Sequence, residues 1–174
     1  MGKNIMTFCI LLIIGCRVSR NEYNMVRAPI TRFSIKPNIN DEIYQLIDTS
    51  SVYLQVSVNG EDSIRSNAGK LVAVIPLKIG LKFYKNGRVA QFRGFDIREI
   101  SSSNPEKARQ GLYELKNGLL SAEFVYHSPQ AGIFLGKDKV EVRGDTILLT
   151  DKTYEYKYVK EKLPAEFLIF QPLW

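Results

Sequence analysis

The chain has 174 residues, 45% of them hydrophobic, and a formal charge of +6, which suits one domain with a core of its own. Basic residues are interleaved with acids and no long block of like charges occurs, so the charge reads as a solvated surface rather than a nucleic-acid-binding tail. Both cysteines, Cys9 and Cys16, fall near the start, and no disulfide framework is expected.

The first element is a leader. Lys3 precedes an apolar run from Ile5 to Ile14, followed by Gly15 and Cys16. A positive start, an apolar centre and a small residue at the cut make the layout of a secretory signal. The run would be about 15 Å long as a helix, roughly half of the hydrocarbon core, and is too short to remain as a membrane span. Ile13, Ile14, Gly15 and Cys16 resemble the bacterial lipobox. That resemblance implies cleavage after residue 15, a diacylglycerol thioether on Cys16, and a palmitate-type acyl chain on the new N-terminus. It places the protein in the cell envelope, lipid-anchored to a membrane (the outer membrane in a Gram-negative cell). The alternative is an ordinary secreted protein whose cysteine at the cut is a coincidence. Myristoylation fails because Met6 stands where Ser or Thr is needed. An exported chain has no nucleic acid as its expected partner.

Residues 16–40 read as the lipidated N-terminus and a tether, polar for its first ten or so residues, with an edge-type strand expected over 30–35. Asn40, Asp41 and Glu42 offer a cap and two acids to a short helical turn through Ile47. From residue 50 the pattern is that of antiparallel sheet. Ser51–Val58 is β-branched and ends at Asn59-Gly60; Leu71–Ile75 ends at Pro76. Leu81–Phe92 reads as two strands around Asn86-Gly87, and Tyr113–Phe124 as two around Asn117-Gly118, both suited to a type I′ turn. Gly144-Asp145 joins Val140–Val142 to Thr146–Leu149, and Thr153–Val159 is a last regular strand. In the interruption between 93 and 111, Pro105 and Gly111 suggest the start and stop of a short helix. The apolar C-terminal segment from Ala165 to Trp174 suggests a final strand or a strap over the barrel, or else a partner-docking segment.

These elements predict an all-β domain over 41–174: an antiparallel up-and-down meander of about eight to ten strands with one or two short helices. Closure into a barrel, or folding into a two-sheet β-sandwich, would remove its edges. The order of Asp48-Thr49, Phe83 to Val89, Asn104 to Tyr113, Gly144 to Ile147 and Tyr154 to Tyr158 resembles the small lipocalin-like lipoproteins of Bacteroidetes. The resemblance implies a lipocalin-like (calycin-like) barrel and lipid anchoring, and no activity, because that family has no agreed functional residues.

Chemistry is sparse. His127 is the only histidine, so a zinc set or a Ser-His-Asp relay has little to build on, and no nucleophile elbow, P-loop or dinucleotide fingerprint occurs. Neither catalytic residues, nor a metal, nor a cofactor is expected. Asp41, Glu42, Glu61, Asp62 and Glu141 cannot be placed across a cleft by sequence. Arg143-Gly144-Asp145 spells an adhesion tripeptide, but a hairpin turn accounts for it. Tyr154, Tyr156 and Tyr158 share one face by period 2, with Thr153, Glu155 and Lys157 opposite. They either pack in the core or line a barrel mouth that grips an apolar or amphipathic ligand. The expected function is therefore a membrane-anchored envelope protein that holds a small hydrophobic ligand. The alternative is an interaction module with a filled core, docking on another envelope protein.

Overall fold

The computed structural model describes residues 19–65, 71–74 and 78–174. The leader and Cys16 lie outside the described residues. Two short strands, β1 (Ser19–Arg20) and β2 (Val26–Arg27), come first, followed by the long β3 (Ser51–Val58). A small hairpin, β4 (Ser63–Arg65) and β5 (Leu71–Val74), interrupts the sequence before β6 (Ile79–Phe83) and β7 (Arg88–Arg93). The rest are β8 (Arg109–Lys116), β9 (Leu119–Ser128), β10 (Gly132–Arg143), β11 (Thr146–Thr150) and β12 (Glu155–Lys162). Strands β3 and β6 to β12 form a closed antiparallel barrel in chain order, and β12 returns to pair with β3 from Tyr156↔Val58 to Lys162↔Ser51. That closure decides for the barrel over the sandwich. Apart from that closing pair and the β4–β5 excursion between β3 and β6, every neighbour in it is a chain neighbour, so the meander expected from the hairpin signals is the fold. Among the described residues the only helices are 3₁₀ turns.

Turn chemistry sets the register. Asn117 and Gly118 both adopt positive φ (53° and 74°) between the partners Lys116 and Leu119, as a type I′ turn requires. The Asn86-Gly87 hairpin differs from expectation. Only Gly87 has positive φ, at 74°. Its N–H donates to the Tyr84 carbonyl at 3.2 Å, and the Tyr84 N–H to Arg88 at 2.9 Å. This is a longer loop with glycine in the left-handed position, also a recognised hairpin solution. Gly111 is not a helix stop either. It lies inside β8, where a Cβ would come 2.6 Å from the Phe124 ring. The expected helix around Pro105 resolves into two 3₁₀ turns, Ile100–Ser103 and Pro105–Lys107, the second capped by the Asn104 side chain, which accepts from the Glu106 N–H.

The barrel is filled from one end. The 3₁₀ turn Asp41–Gln45, capped by Asn40 as its sequence suggests, drops Ile43 into the interior, with Ile47 just beyond it. These two meet Leu81, Val89, Leu120, Val140, Ile147 and Leu149. Phe83 stands edge-on to both Tyr53 and Tyr113, at 6.0 and 5.2 Å between ring centres, a favoured aromatic geometry. Tyr44 donates its O–H to the Lys85 carbonyl and ties this plug to the β6–β7 hairpin.

Much of the outer surface of the barrel is covered as well. Residues 165–174 form the strap allowed by their composition: a 3₁₀ turn, Ala165–Ile169, sets Phe167 beside Phe95, and the chain then runs on to Trp174. Residues 19–40, assigned by sequence to a tether, are packed on the wall. Asn21 bridges the first hairpin to Glu106. Ala28 is held at both its N–H and its carbonyl by the Gln110 amide, at 2.8 and 2.9 Å. Ile30–Arg32 is a 3₁₀ turn rather than part of a strand. Beyond it, Phe33 and Ile35 are buried against Leu112 and Val125. The segment looked polar because only four scattered apolar residues, Val26, Ala28, Phe33 and Ile35, carry its docking.

Candidate functional site

The end of the barrel away from the plug is built differently. By alternation with Tyr53, Val89, Tyr113, Phe124 and Val140, the inward residues at this end are Gln55, Gln91, Arg109, Tyr126, Phe134, Asp138, Tyr156 and Tyr158. They are polar or aromatic where the plugged half is aliphatic. Arg109 places its guanidinium over the Tyr126 ring, 4.2 Å from the ring centre, and donates to the Gln91 side-chain oxygen. Gln91 in turn donates to the Tyr158 hydroxyl at 3.1 Å. Phe134 stacks on Tyr126 at 5.4 Å with planes 10° apart, leaving 44% of Phe134 exposed at the rim. Gly136 makes room for the Tyr126 ring, since a Cβ there would meet it at 2.7 Å.

Burial dominates the electrostatics of this end. It pushes Asp138 up to about 7, helped by the nearby charge of Asp151 and opposed by Arg109. Among the described residues no cation lies within salt-bridge distance of Asp138. Burial also lowers Arg109 and raises Tyr126 and Tyr156 to about 12, while Tyr158 rises for the same reason.

The wall is broken beside this cluster. Pairing of β8 with β9 stops at Gly111↔Phe124, while β9 runs on to Ser128 with only β10 as its partner. Gln110, the next residue along β8, spends its side chain on Ala28 instead. A cavity of about 410 Å³ occupies the break. Arg20, Arg93, Lys107, Arg109 and His127 line it together with Gln91 and the apolar Met25, Val26 and Val125. It therefore joins two interior residues, Gln91 and Arg109, to the outer surface under the N-terminal hairpin.

The three tyrosines singled out by sequence sit at different depths. Tyr154 precedes β12 and is 46% exposed at the rim, its ring 6.0 Å from that of Tyr156. Tyr156 is half-buried against the inner core, and Tyr158 is fully enclosed. None of them lines the cavity at the break; Tyr158 reaches it through Gln91. His127 is at the cavity mouth, its Nε2 3.4 Å from an Arg20 nitrogen. Arg143 pairs with Glu141, and Asp145 with Lys160, so both charges of the adhesion-like tripeptide are engaged at the β10–β11 turn. Among the described residues no group of three or more His, Cys, Asp or Glu is placed to hold a metal.

Sequence reasoning missed the basic residues of the cavity, because Arg20, Arg93 and the Lys107/Arg109 pair come from three separate segments, none of them a long basic run. The spacing of Gln91 and Arg93, on the face shared with Val89, was the available signal. The site is thus a polar, cation-lined side opening beside the end of the barrel that the Ile43 and Ile47 plug leaves unfilled. Its reading rests on that geometry, because a scan of protein-family models and searches of curated proteins and of solved structures each returned no match.

Proposed function

We propose that the chain is a cell-envelope lipoprotein, anchored through Cys16, whose barrel takes a small apolar or amphipathic molecule at its unplugged end. The lipobox-like residues at 13–16 support the anchor. The uneven filling of the barrel carries the binding reading. One half is packed with aliphatic and aromatic side chains, while the other presents aromatic rings beside polar groups and an adjoining cavity of about 410 Å³, within the size range of small-molecule sites. Partly exposed Phe134 and Tyr154 offer apolar area at the rim, and Arg109 and Gln91 offer polar anchors deeper in. This is the layout of a binding site, and we propose no catalytic role.

Two measurements test the proposal. Cys16→Ala should abolish incorporation of labelled palmitate and leave an unprocessed precursor; continued labelling would end the anchor reading. Native mass spectrometry of the lipidated mature chain, released gently from detergent, should retain a small molecule, and Nile red should bind saturably to the emptied protein. A chain that carries nothing and ignores Nile red would favour the second reading, a module that docks on another envelope protein. Ile169 and Leu173, 68% and 85% exposed on the C-terminal strap, supply its surface.

A further inference from the structure

The charges around the break are unbalanced. Arg20, Arg93, Lys107 and Arg109 all line one cavity with His127, and among the described residues no carboxylate lines it. Among the described residues none of these four cations forms an ion pair, although Arg27, Lys78, Arg98, Arg143 and Lys160 all do. Their hydrogen bonds go to neutral groups. Arg20 donates to the backbone and side-chain oxygens of Asn24, Lys107 to the Ser101 hydroxyl at 3.2 Å, and Arg109 to Gln91. Of the nearby acids, Glu106 is engaged by Arg27 and Asn21, while Asp138 faces the barrel interior and acts on Arg109 without forming an ion pair. Gathering cations at a partly enclosed site without counter-charges is unfavourable unless an anion joins them.

We propose that this cavity binds a phosphate group, with Arg20, Arg93, Lys107 and Arg109 as its ligands. Four permanent charges exceed what a single carboxylate would neutralise, and guanidinium groups match the tetrahedral oxygens of phosphate through paired N–H donors. Met25, Val26 and Val125 give the same cavity an apolar side, so a phosphate bearing a hydrocarbon portion fits its lining. The inference deepens the ligand-binding reading above, on which it rests for the amphipathic character of the molecule. The chain gives a geometric reason for a lipid source. Arg20 lies four residues beyond Cys16, a reach of at most about 14 Å. A lipid on Cys16 would hold the cavity at the level of membrane phosphates. A free phosphate compound offers the same head chemistry, and experiment separates the two.

The lipidated mature chain in non-ionic detergent is titrated with inorganic phosphate, with dihexanoyl phosphatidic acid and with phosphate-free dihexanoylglycerol, and binding is followed by calorimetry. Both phosphates should saturate the site. A tenfold or greater preference for phosphatidic acid over inorganic phosphate identifies a lipid phosphate, and equal affinity identifies a free one. Arg20 and Arg93 are exposed, so the double variant Arg20→Gln/Arg93→Gln should fold normally, as judged by its melting curve, and weaken phosphate at least tenfold. Lys116→Gln, at the opposite end of β8, should leave binding unchanged. Absence of saturable binding by either phosphate, or equal weakening by Lys116→Gln, overturns the inference. Nile red titrated in parallel separates the two readings: bound dye without bound phosphate removes the phosphate site alone. Bound phosphate without dye leaves the anion site and removes the amphipathic ligand.

Discussion

The guanidinium of Arg109 rests on the ring of Tyr126, 4.2 Å from its centre, and the same ring stacks on Phe134. A cation over an aromatic face gains more when water is excluded, and both residues are largely withdrawn from solvent. The stack therefore fixes Arg109 at the junction of two environments, the polar interior of the barrel and the basic cavity at the β8–β9 break. Arg109 faces both, and the charge of Asp138 acts on it from the interior side.

Asp138 makes the stability pH-dependent. Burial raises its carboxyl from 3.8 to about 7, so the native state binds the proton more tightly than the unfolded chain. Its contribution is most favourable below about pH 4 and is lost as the pH rises through about 7. Relaxation of the surroundings on ionisation offsets part of the penalty, leaving on the order of 2 kcal/mol. Asp138→Asn should therefore be more stable than the parent at pH 8 by about that amount, with the difference shrinking toward pH 4. Urea denaturation at the two pH values checks this, and equal differences would show that Asp138 titrates normally.

Three glycines should rank by what surrounds them. Gly87 combines a φ of 74° with the backbone of residues 37 and 38 laid across it, where a Cβ would approach the Pro37 Cα to 2.7 Å. Gly87→Val should cost well over 2 kcal/mol, because strained backbone and overlap act together. Gly111 has ordinary φ but lies under Phe124 and Val89, so Gly111→Ala should cost about 1–3 kcal/mol through overpacking alone. Gly118 shares the φ of Gly87 but faces open space, and Gly118→Ala should cost only about 1 kcal/mol. Melting curves of the three variants give the order directly.

Glu123 holds the N-terminal segment on the barrel. Its buried carboxylate accepts the N–H groups of Ser34 and Ile35 at 2.7 and 3.2 Å. Glu123→Leu would leave both donors without an acceptor, at about 1–3 kcal/mol each. Amides 33–35 should then exchange with deuterium much faster, while those of β3 and β12 stay protected. Unchanged exchange at 33–35 would mean that Phe33 and Ile35 hold the segment by packing alone.

The parts legible in the sequence were those with a short-range cause. Asn117-Gly118 specified its turn because two positive φ angles are needed at adjacent residues, and Asn40 specified its cap because its side chain accepts from the otherwise unpartnered first-turn N–H of Glu42. Closure could be argued only from the need to hide edges, and the pairing of β12 with β3 confirmed it. What stayed hidden depends on distant partners. Gly111 read as a helix stop because nothing local announces Phe124 lying over it, and Arg27 read as a tether residue although it is buried against the Trp174 ring and the carbonyls of Glu106 and Ala108. The basic cavity was hidden for the same reason: Arg20, Arg93 and Lys107 come from three separate segments.

The tyrosines at the open end should divide by depth. Tyr158 is enclosed, and its hydroxyl meets Gln91, so Tyr158→Phe removes one hydrogen bond and leaves the Gln91 amide short of an acceptor. A loss of about 1 kcal/mol in stability is expected, because packing is retained and only the polar contact goes. Tyr154 is nearly half exposed and touches the barrel chiefly through the Tyr156 ring, so Tyr154→Ala should move stability by less than about 0.5 kcal/mol. Ligand uptake should show the opposite pattern. Truncating Tyr154 removes apolar area from the rim where a hydrocarbon portion would lie, and at about 25 cal/mol per Å² the loss of a few tens of Å² weakens Nile red binding several-fold. Tyr158→Phe leaves that rim intact and should bind the dye as the parent does. If Tyr154→Ala binds Nile red unchanged while Tyr158→Phe loses it, the ligand lies in the deep interior instead, and the rim has no part in holding it.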